Sequence, residues 1–324
     1  MCIGWLAGGR TSDVGTALTR DATRVGRTTR WLATVLAVTG WAALTGCTGP
    51  AHPHATAVVA STDVWGSVAR AVAGGHVAVA SILSGSDQDP HSYEASPSDA
   101  AAIADAGLVV FNGGGYDGWV DDVLAHHPGV ARVDAYALLP DAGRPRNEHV
   151  FYHLGVAKAV AAAVADRLAA IDPGNAADYR RNAAAFGRDA DAIAGIEHTI
   201  AAAHPGGSVV ATEPVAFYLL EASGLVNRTP PALEAAVENE TDPAPADLAR
   251  ALDLLDRHQV SALVVNPQTS ASAVNGLREA ARRAGVPVVE VRETLPDGAD
   301  YLSWQRNTVG QLQTALQPVR SLQP

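Results

Sequence analysis

The sequence predicts an α/β fold in which two lobes of parallel sheet, flanked by helices, are joined by one long rigid helix. Three observations predict it. Short β-branched runs alternate with longer alanine-rich helical patterns, as parallel sheets covered by helices require. The runs fall into two groups, at 58–60, 77–83 and 108–112, then at 208–212, 262–266 and 286–291. Between the groups, from 155 to about 203, no strand candidate appears. There Val156, Val160, Val164, Leu168 and Ile171 recur at three- and four-residue spacing, the stripe of a helix packed on both neighbours. Asp172-Pro173-Gly174 breaks this pattern before it resumes through Tyr179, Phe186 and Ile193.

A chain of 324 residues, 48% hydrophobic, can bury a substantial core and fill one large domain or two ordinary ones. Alanine dominates and Lys158 is the single lysine, a bias that reads as base composition of the genome. Near the amino terminus Arg24, Arg27 and Arg30 precede an apolar run at 31–44 and the sequence Leu44-Thr45-Gly46-Cys47. This is the pattern of an export signal, and the run is short for a bilayer span. Leu-Thr-Gly-Cys resembles the lipobox of bacterial lipoproteins, in which the cysteine becomes the lipidated first residue. An ordinary cleaved signal or an uncleaved anchor, with Cys47 incidental, is the alternative. The stretch ahead of Arg24 is long for a signal, so translation is expected to start further downstream. The expected organisation is a lipoprotein signal peptide at 1–46 and a tether at 47–57 containing Pro50 and Pro53. An amino-terminal lobe at 58–154, a connecting helical region at 155–204 and a carboxy-terminal lobe at 205–324 follow. Loss of residues 1–46 removes Cys2, so no disulfide is expected. It also takes five arginines and two aspartates from 23 basic and 34 acidic residues, leaving a formal charge of −14. That balance disfavours nucleic acid and suits a cationic ligand.

Candidate chemistry lies at strand ends. Asp89-Pro90-His91-Ser92-Tyr93-Glu94 follows the strand ending near Leu83, and open α/β sheets place ligands at the carboxyl ends of their strands. His91 presents an imidazole there, while Ser96-Pro97-Ser98-Asp99 can start the next helix; taken alone, a loop histidine is more often solvated. Asn147-Glu148-His149-Val150-Phe151-Tyr152-His153 stands just before the long helix. Val210-Ala211-Thr212-Glu213-Pro214 ends the first strand of the second lobe. Glu213 either points into a cleft by the same logic or starts a helix whose dipole favours it. Val289-Glu290-Val291-Arg292-Glu293 again closes a strand, with an exposed strand end as the bland reading.

The run Asp-Pro-His-Ser-Tyr-Glu with Pro97-Ser98-Asp99, then Ala104-Asp105-Ala106-Gly107-Leu108-Val109-Val110-Phe111-Asn112-Gly113 and Trp119, resembles the metal-binding family of importer solute-binding proteins. The resemblance to these zinc and manganese receptors extends over 58–316. It implies two α/β lobes joined by a rigid helix, with the metal held between them by ligands from both. It implies His91 as the first ligand and His149, aligned with the family's Pro-His-Val-Trp histidine, as the second. Glu213 aligns with a position that is histidine in many members and glutamate in a Thr-Glu-Pro branch. Glu293 aligns with the family's last carboxylate, usually aspartate, with Asp297 and Asp300 as rivals. His153 replaces the aspartate that usually opens the helix and is read as a substitute cap, a spare ligand or a solvated residue, the last two preferred. Glu148 and His153 are near enough in sequence to orient His149, as metal histidines commonly require. Asp242 and Ser270, in segments that match the family without carrying ligands, are expected to cap helices.

His91, His149, Glu213 and Glu293 are 58, 64 and 80 residues apart, so only the fold can assemble them. Two imidazoles and two carboxylates suit tetrahedral Zn²⁺, and Mn²⁺ if a carboxylate binds through both oxygens. The expectation is a monomeric, lipid-anchored, extracytoplasmic protein that carries one divalent ion, Zn²⁺ or Mn²⁺, to the permease of an ABC importer. A metal-binding surface adhesin or a metallochaperone would share the fold. Catalysis is not expected, because His-Glu-x-x-His, Gly-x-Ser-x-Gly and phosphate-loop patterns are absent; a zinc-dependent hydrolase is the remote alternative.

Overall fold

The computed structural model describes residues 58–85, 90, 93–140, 146–269 and 271–317. The expected signal segment and tether, Cys47 and His91 lie outside the described residues.

In the first lobe β1 (Val58–Thr62), α1 (Asp63–Ala73), β2 (Val79–Leu83), α2 (Pro97–Ala104), β3 (Leu108–Phe111), α3 (Gly118–His126) and β4 (Arg132–Asp134) follow in order. The second lobe contains β5 (Ser208–Ala211), α6 (Phe217–Ala222), β6 (Val226–Asn227), α7 (Pro231–Glu238), α8 (Pro245–Asp256), β7 (Ala262–Val265), α9 (Ser272–Ala284) and β8 (Val288–Glu290). Between them run α4 (Leu154–Ile171) and α5 (Ala176–Ala203), and α10 (Tyr301–Ala315) closes the described chain. The two sheets are parallel and share one topology, β2-β1-β3-β4 and β6-β5-β7-β8. In each, the direction of winding reverses beside the first strand. A crevice therefore opens at the carboxyl ends of β1 and β3 and, in the second lobe, of β5 and β7.

All six expected strands form, each trimmed by a residue or more except β1, which extends through Thr62. The two that sequence reading missed, β4 and β6, are edge strands of three and two residues. Runs that short carry no detectable periodicity. The connecting region is two helices. Asp172 accepts hydrogen bonds from Asn175 Nδ2 and Tyr179 Oη, both at 2.7 Å, and holds the Pro173–Asn175 turn that folds α4 back along α5. α4 packs on the first sheet and α1, whereas α5 reaches α1, α6 and α10. Its 28 residues extend about 42 Å at 1.5 Å per residue.

One hydrophobic core continues through both lobes along this spine, with Trp65, Val160, Val164, Phe151, Tyr301 and Val309 all buried. Polar contacts stitch the same seam. Tyr152 Oη accepts from the Arg292 N–H and donates to the Arg292 carbonyl, each at 3.0 Å. The Leu295 N–H reaches Asp63 Oδ1 at 3.1 Å, the Tyr301 N–H reaches Ser67 Oγ at 2.9 Å, and Tyr301 Oη donates to the Phe151 carbonyl at 2.7 Å. Removing one buried aromatic from such a seam costs about 3–5 kcal/mol, so the lobes are fixed by more than the chain connection.

Candidate metal centre

His149 is fully buried and lies in the turn that leads into Val150–Tyr152. Asn112, one residue past β3, sets the position of this turn. Its Nδ2 donates to the Glu148 carbonyl at 2.8 Å, and its Oδ1 accepts from the Trp65 indole at 3.1 Å. Asp117 in turn accepts the Asn112 and Gly113 N–H groups at 2.7 and 2.8 Å, and burial pushes its carboxyl up to about 6. Gly113 holds φ +72°, and a Cβ there would stand 2.2 Å from Asp134 Oδ1, so this loop needs glycine.

The His149 ring is gripped edge-on by Tyr116 and Phe151, with centroids at 5.8 and 5.7 Å. Asn147 Oδ1 accepts the His149 backbone N–H at 2.8 Å and lies 2.9 Å from Nδ1. The backbone bond identifies that atom as the amide oxygen, so Nδ1 is the donor. In the neutral ring Nε2 then carries a lone pair, which faces Glu238 Oε1 at 3.4 Å and Glu293 Oε2 at 3.6 Å. A lone pair opposed by carboxylates is an arrangement that a cation between them relieves. Among the described residues the partner that orients Nδ1 is Asn147 rather than the expected Glu148 or His153.

The carboxylates come from the second lobe. Glu213 is buried just past β5, with the Pro214–Ala216 turn directly after it. Glu293 is buried three residues past β8. A single amide nitrogen, Asn266 Nδ2, donates to Glu213 Oε2 and to Glu293 Oε1, each at 2.9 Å. The structure thus gathers His149, Glu213 and Glu293 into one cluster.

Sequence reading missed Glu238, the last residue of α7, whose oxygen approaches His149 more closely than Glu293 does. Ligand atoms of Glu148, His149 and Glu238 lie within 4.8 Å of one another. A carboxylate at a helix carboxyl end opposes the helix dipole, which is itself a hint of a nearby positive charge. In sequence it is one acid in an acidic stretch, and nothing there distinguishes it.

Three expectations are corrected. His153 is the cap of α4: its Nδ1 accepts the Val156 N–H at 3.2 Å, and burial lowers its pKa, which keeps the ring an acceptor. Asp300 is the cap of α10, accepting the Ser303 N–H at 2.8 Å, and Asp297 is exposed, so neither rival of Glu293 joins the cluster. Asp242 is not the cap of α8, which begins beyond it with Ala244 at the cap position; Ser270 lies outside the described residues. Ser96 and Asp99, by contrast, form the expected start of α2 as a reciprocal capping box.

A family model described as zinc-uptake complex component A, periplasmic, matches residues 58–315. The chain belongs to that family. Among curated relatives, the manganese-binding lipoprotein MntA of Bacillus subtilis (strain 168) is 26% identical over 262 residues, covering 75% of this chain and 82% of that protein. Solved structures with the same fold include the periplasmic zinc binding protein TroA from Treponema pallidum, with a TM-score of 0.67 at 17% identity over 81% of this chain and 99% of that one. The laminin binding protein Lmb of Streptococcus agalactiae superposes with a TM-score of 0.68 at 23% identity, covering 81% and 100% of the two chains. FpvC from Pseudomonas aeruginosa in complex with Mn²⁺ gives 0.65 at 21% identity, covering 81% and 98%. Members of this zinc-uptake family are thus described by transport, not catalysis, and the two-lobe architecture of the chain is theirs.

Proposed function

We propose that this protein is an extracytoplasmic receptor that captures one divalent transition-metal ion, Zn²⁺ or Mn²⁺, and presents it to the permease of an ABC importer. One observation carries the reading: a buried imidazole, its tautomer set by Asn147, turns Nε2 toward carboxylates that a second lobe supplies. The ligands are His149, Glu213 and Glu293, with His91 from the segment that follows β2; Glu238 stands beside them as a further oxygen donor. The amino-terminal lobe at 58–154 supplies both imidazoles and the carboxy-terminal lobe at 205–324 the carboxylates, so the ion ties the two together.

The continuous core and the hydrogen bonds of Tyr152, Leu295 and Tyr301 along the seam argue against closure by a wide hinge. Metal acts instead by ordering loops and shifting the lobes slightly, which changes the surface offered to the permease. Cys47 carries the lipid, and residues 47–57 tether the body to the membrane as a monomer. The test is calorimetric titration of metal-stripped protein with Zn²⁺ and with Mn²⁺. A single saturable site supports the reading; no heat and no thermal stabilisation with either ion overturns it.

A further inference from the structure

Asn266 stands one residue past β7, beside the crevice of the second sheet, and is 1% exposed. Its two amide protons have two recipients, Glu213 Oε2 and Glu293 Oε1. The orientation is assigned by the backbone: the Gln268 N–H donates to Asn266 Oδ1 at 3.0 Å, so the nitrogen must be the atom that faces the carboxylates. Only an amide among side chains of this size can serve two carboxylates at once. A hydroxyl has one proton, and an aspartate would add a third charge.

Gln268 reinforces the arrangement, accepting the Glu293 N–H at 2.7 Å and donating to Thr294 Oγ1 at 2.9 Å. Consequently the two oxygens of Glu293 are not equivalent. Oε1 receives the Asn266 amide, and Oε2 lies on the side of His149 Nε2, 3.6 Å away. Glu213 is tied through Oε2 in the same way.

We infer that Asn266 is a specificity-determining positioning residue of the metal centre, one that directs each carboxylate to bind the ion through a single oxygen. The inference rests on the receptor reading above. A carboxylate oxygen that accepts a charge-assisted hydrogen bond is a poorer second donor, so chelation through both oxygens is discouraged. Zn²⁺ loses little, because four donors satisfy it. Mn²⁺ prefers oxygen and a larger donor number, and loses more. Asn266 therefore shifts the centre toward Zn²⁺ without touching the ion.

The experiment measures Zn²⁺ and Mn²⁺ affinities of the metal-stripped protein by competition with a chelating dye, for wild type, Asn266→Ala and Asn266→Ser. X-ray absorption counts the donors around each bound ion. The ratio of the Mn²⁺ to the Zn²⁺ dissociation constant is expected to fall about tenfold or more in Asn266→Ala, within the range seen when outer partners of metal ligands are removed. More oxygen neighbours should surround Mn²⁺ in that variant than in wild type. If Asn266→Ala does not fold, Asn266→Ser, whose hydroxyl has one proton and can serve only one of the two carboxylates, carries the same expectation. A folded variant that binds both ions with the wild-type ratio and donor number overturns the inference while leaving the receptor reading intact. Wild-type protein that binds neither ion overturns both.

Discussion

Glu197 gives a prediction whose size follows from the structure. It lies on α5, is 3% exposed, and its Oε1 has no hydrogen-bond partner among the described residues. Together with Tyr152, His153 and Tyr218 it lines a cavity of about 260 Å³ at the seam of the lobes. Burial alone pushes its carboxyl from 4.5 up to about 8. The unfolded chain releases this proton near pH 4.5 and the folded chain keeps it to about pH 8, so the folded state loses stability as pH rises through that interval. At ~1.4 kcal/mol per pH unit, the loss between pH 6 and 8.5 is at most about 2.7 kcal/mol, because it stops growing near pH 8. Glu197→Gln keeps the shape and removes the titration. Urea unfolding of both proteins at pH 6 and 8.5 should show the variant's advantage larger at the higher pH by about 2–2.7 kcal/mol. Asp117 and Glu234, held up by burial to about 6 and about 7, titrate in both proteins and cancel in the comparison. An equal stability difference at the two pH values would refute the reasoning.

Three further outcomes are expected. Saturating Zn²⁺ or Mn²⁺ should raise the melting temperature at pH 7.5, by ~2.7 kcal/mol of stability at a hundredfold excess over Kd. The rise should shrink at pH 5, where protons compete for imidazole nitrogens; an unchanged melting temperature at both pH values would count heavily against a specific site. Asn147→Ala removes the acceptor that orients His149 Nδ1, so metal affinity should drop about 10–100-fold in a folded protein, and wild-type affinity would show that ring packing alone holds the imidazole. Cys47→Ala should move the protein from the membrane to the soluble fraction with unchanged metal affinity, whereas retention in the pellet would make the apolar run at 31–44 the anchor.

The fold was legible because its signals are local. Runs such as Leu108-Val109-Val110-Phe111 and Ala262-Leu263-Val264-Val265 are buried on both faces and announce central strands of parallel sheets. The helical stripe from Val156 to Leu168 marks α4 as plainly. Strand ends point to the crevice and so to Glu213 and Glu293, but His149 stands before a helix, and the choice of all three came from the resemblance to the metal-binding family. What stayed hidden depends on contacts between distant segments. Asn147 and Asn266 read in sequence as ordinary turn residues, and only the approach of Glu213 and Glu293 to one amide reveals what Asn266 does. Glu238 meets His149 across 89 positions of chain. His153 was misread because a neutral imidazole can accept at a helix start much as a carboxylate does, and only its burial shows that it is doing so.

The central claim is that one ion is held between the lobes by residues of both. Crystals grown from metal-stripped protein, soaked in Zn²⁺ or Mn²⁺ and measured at the metal absorption edge, test it most directly. The account predicts a single anomalous peak ~2.0–2.2 Å from His149 Nε2 and from one oxygen each of Glu213 and Glu293, with His91 as the remaining ligand. An ion on His149 that lies more than about 4 Å from both Glu213 and Glu293, far beyond a metal–carboxylate bond, and is held instead by Glu148 and Glu238, would contradict it.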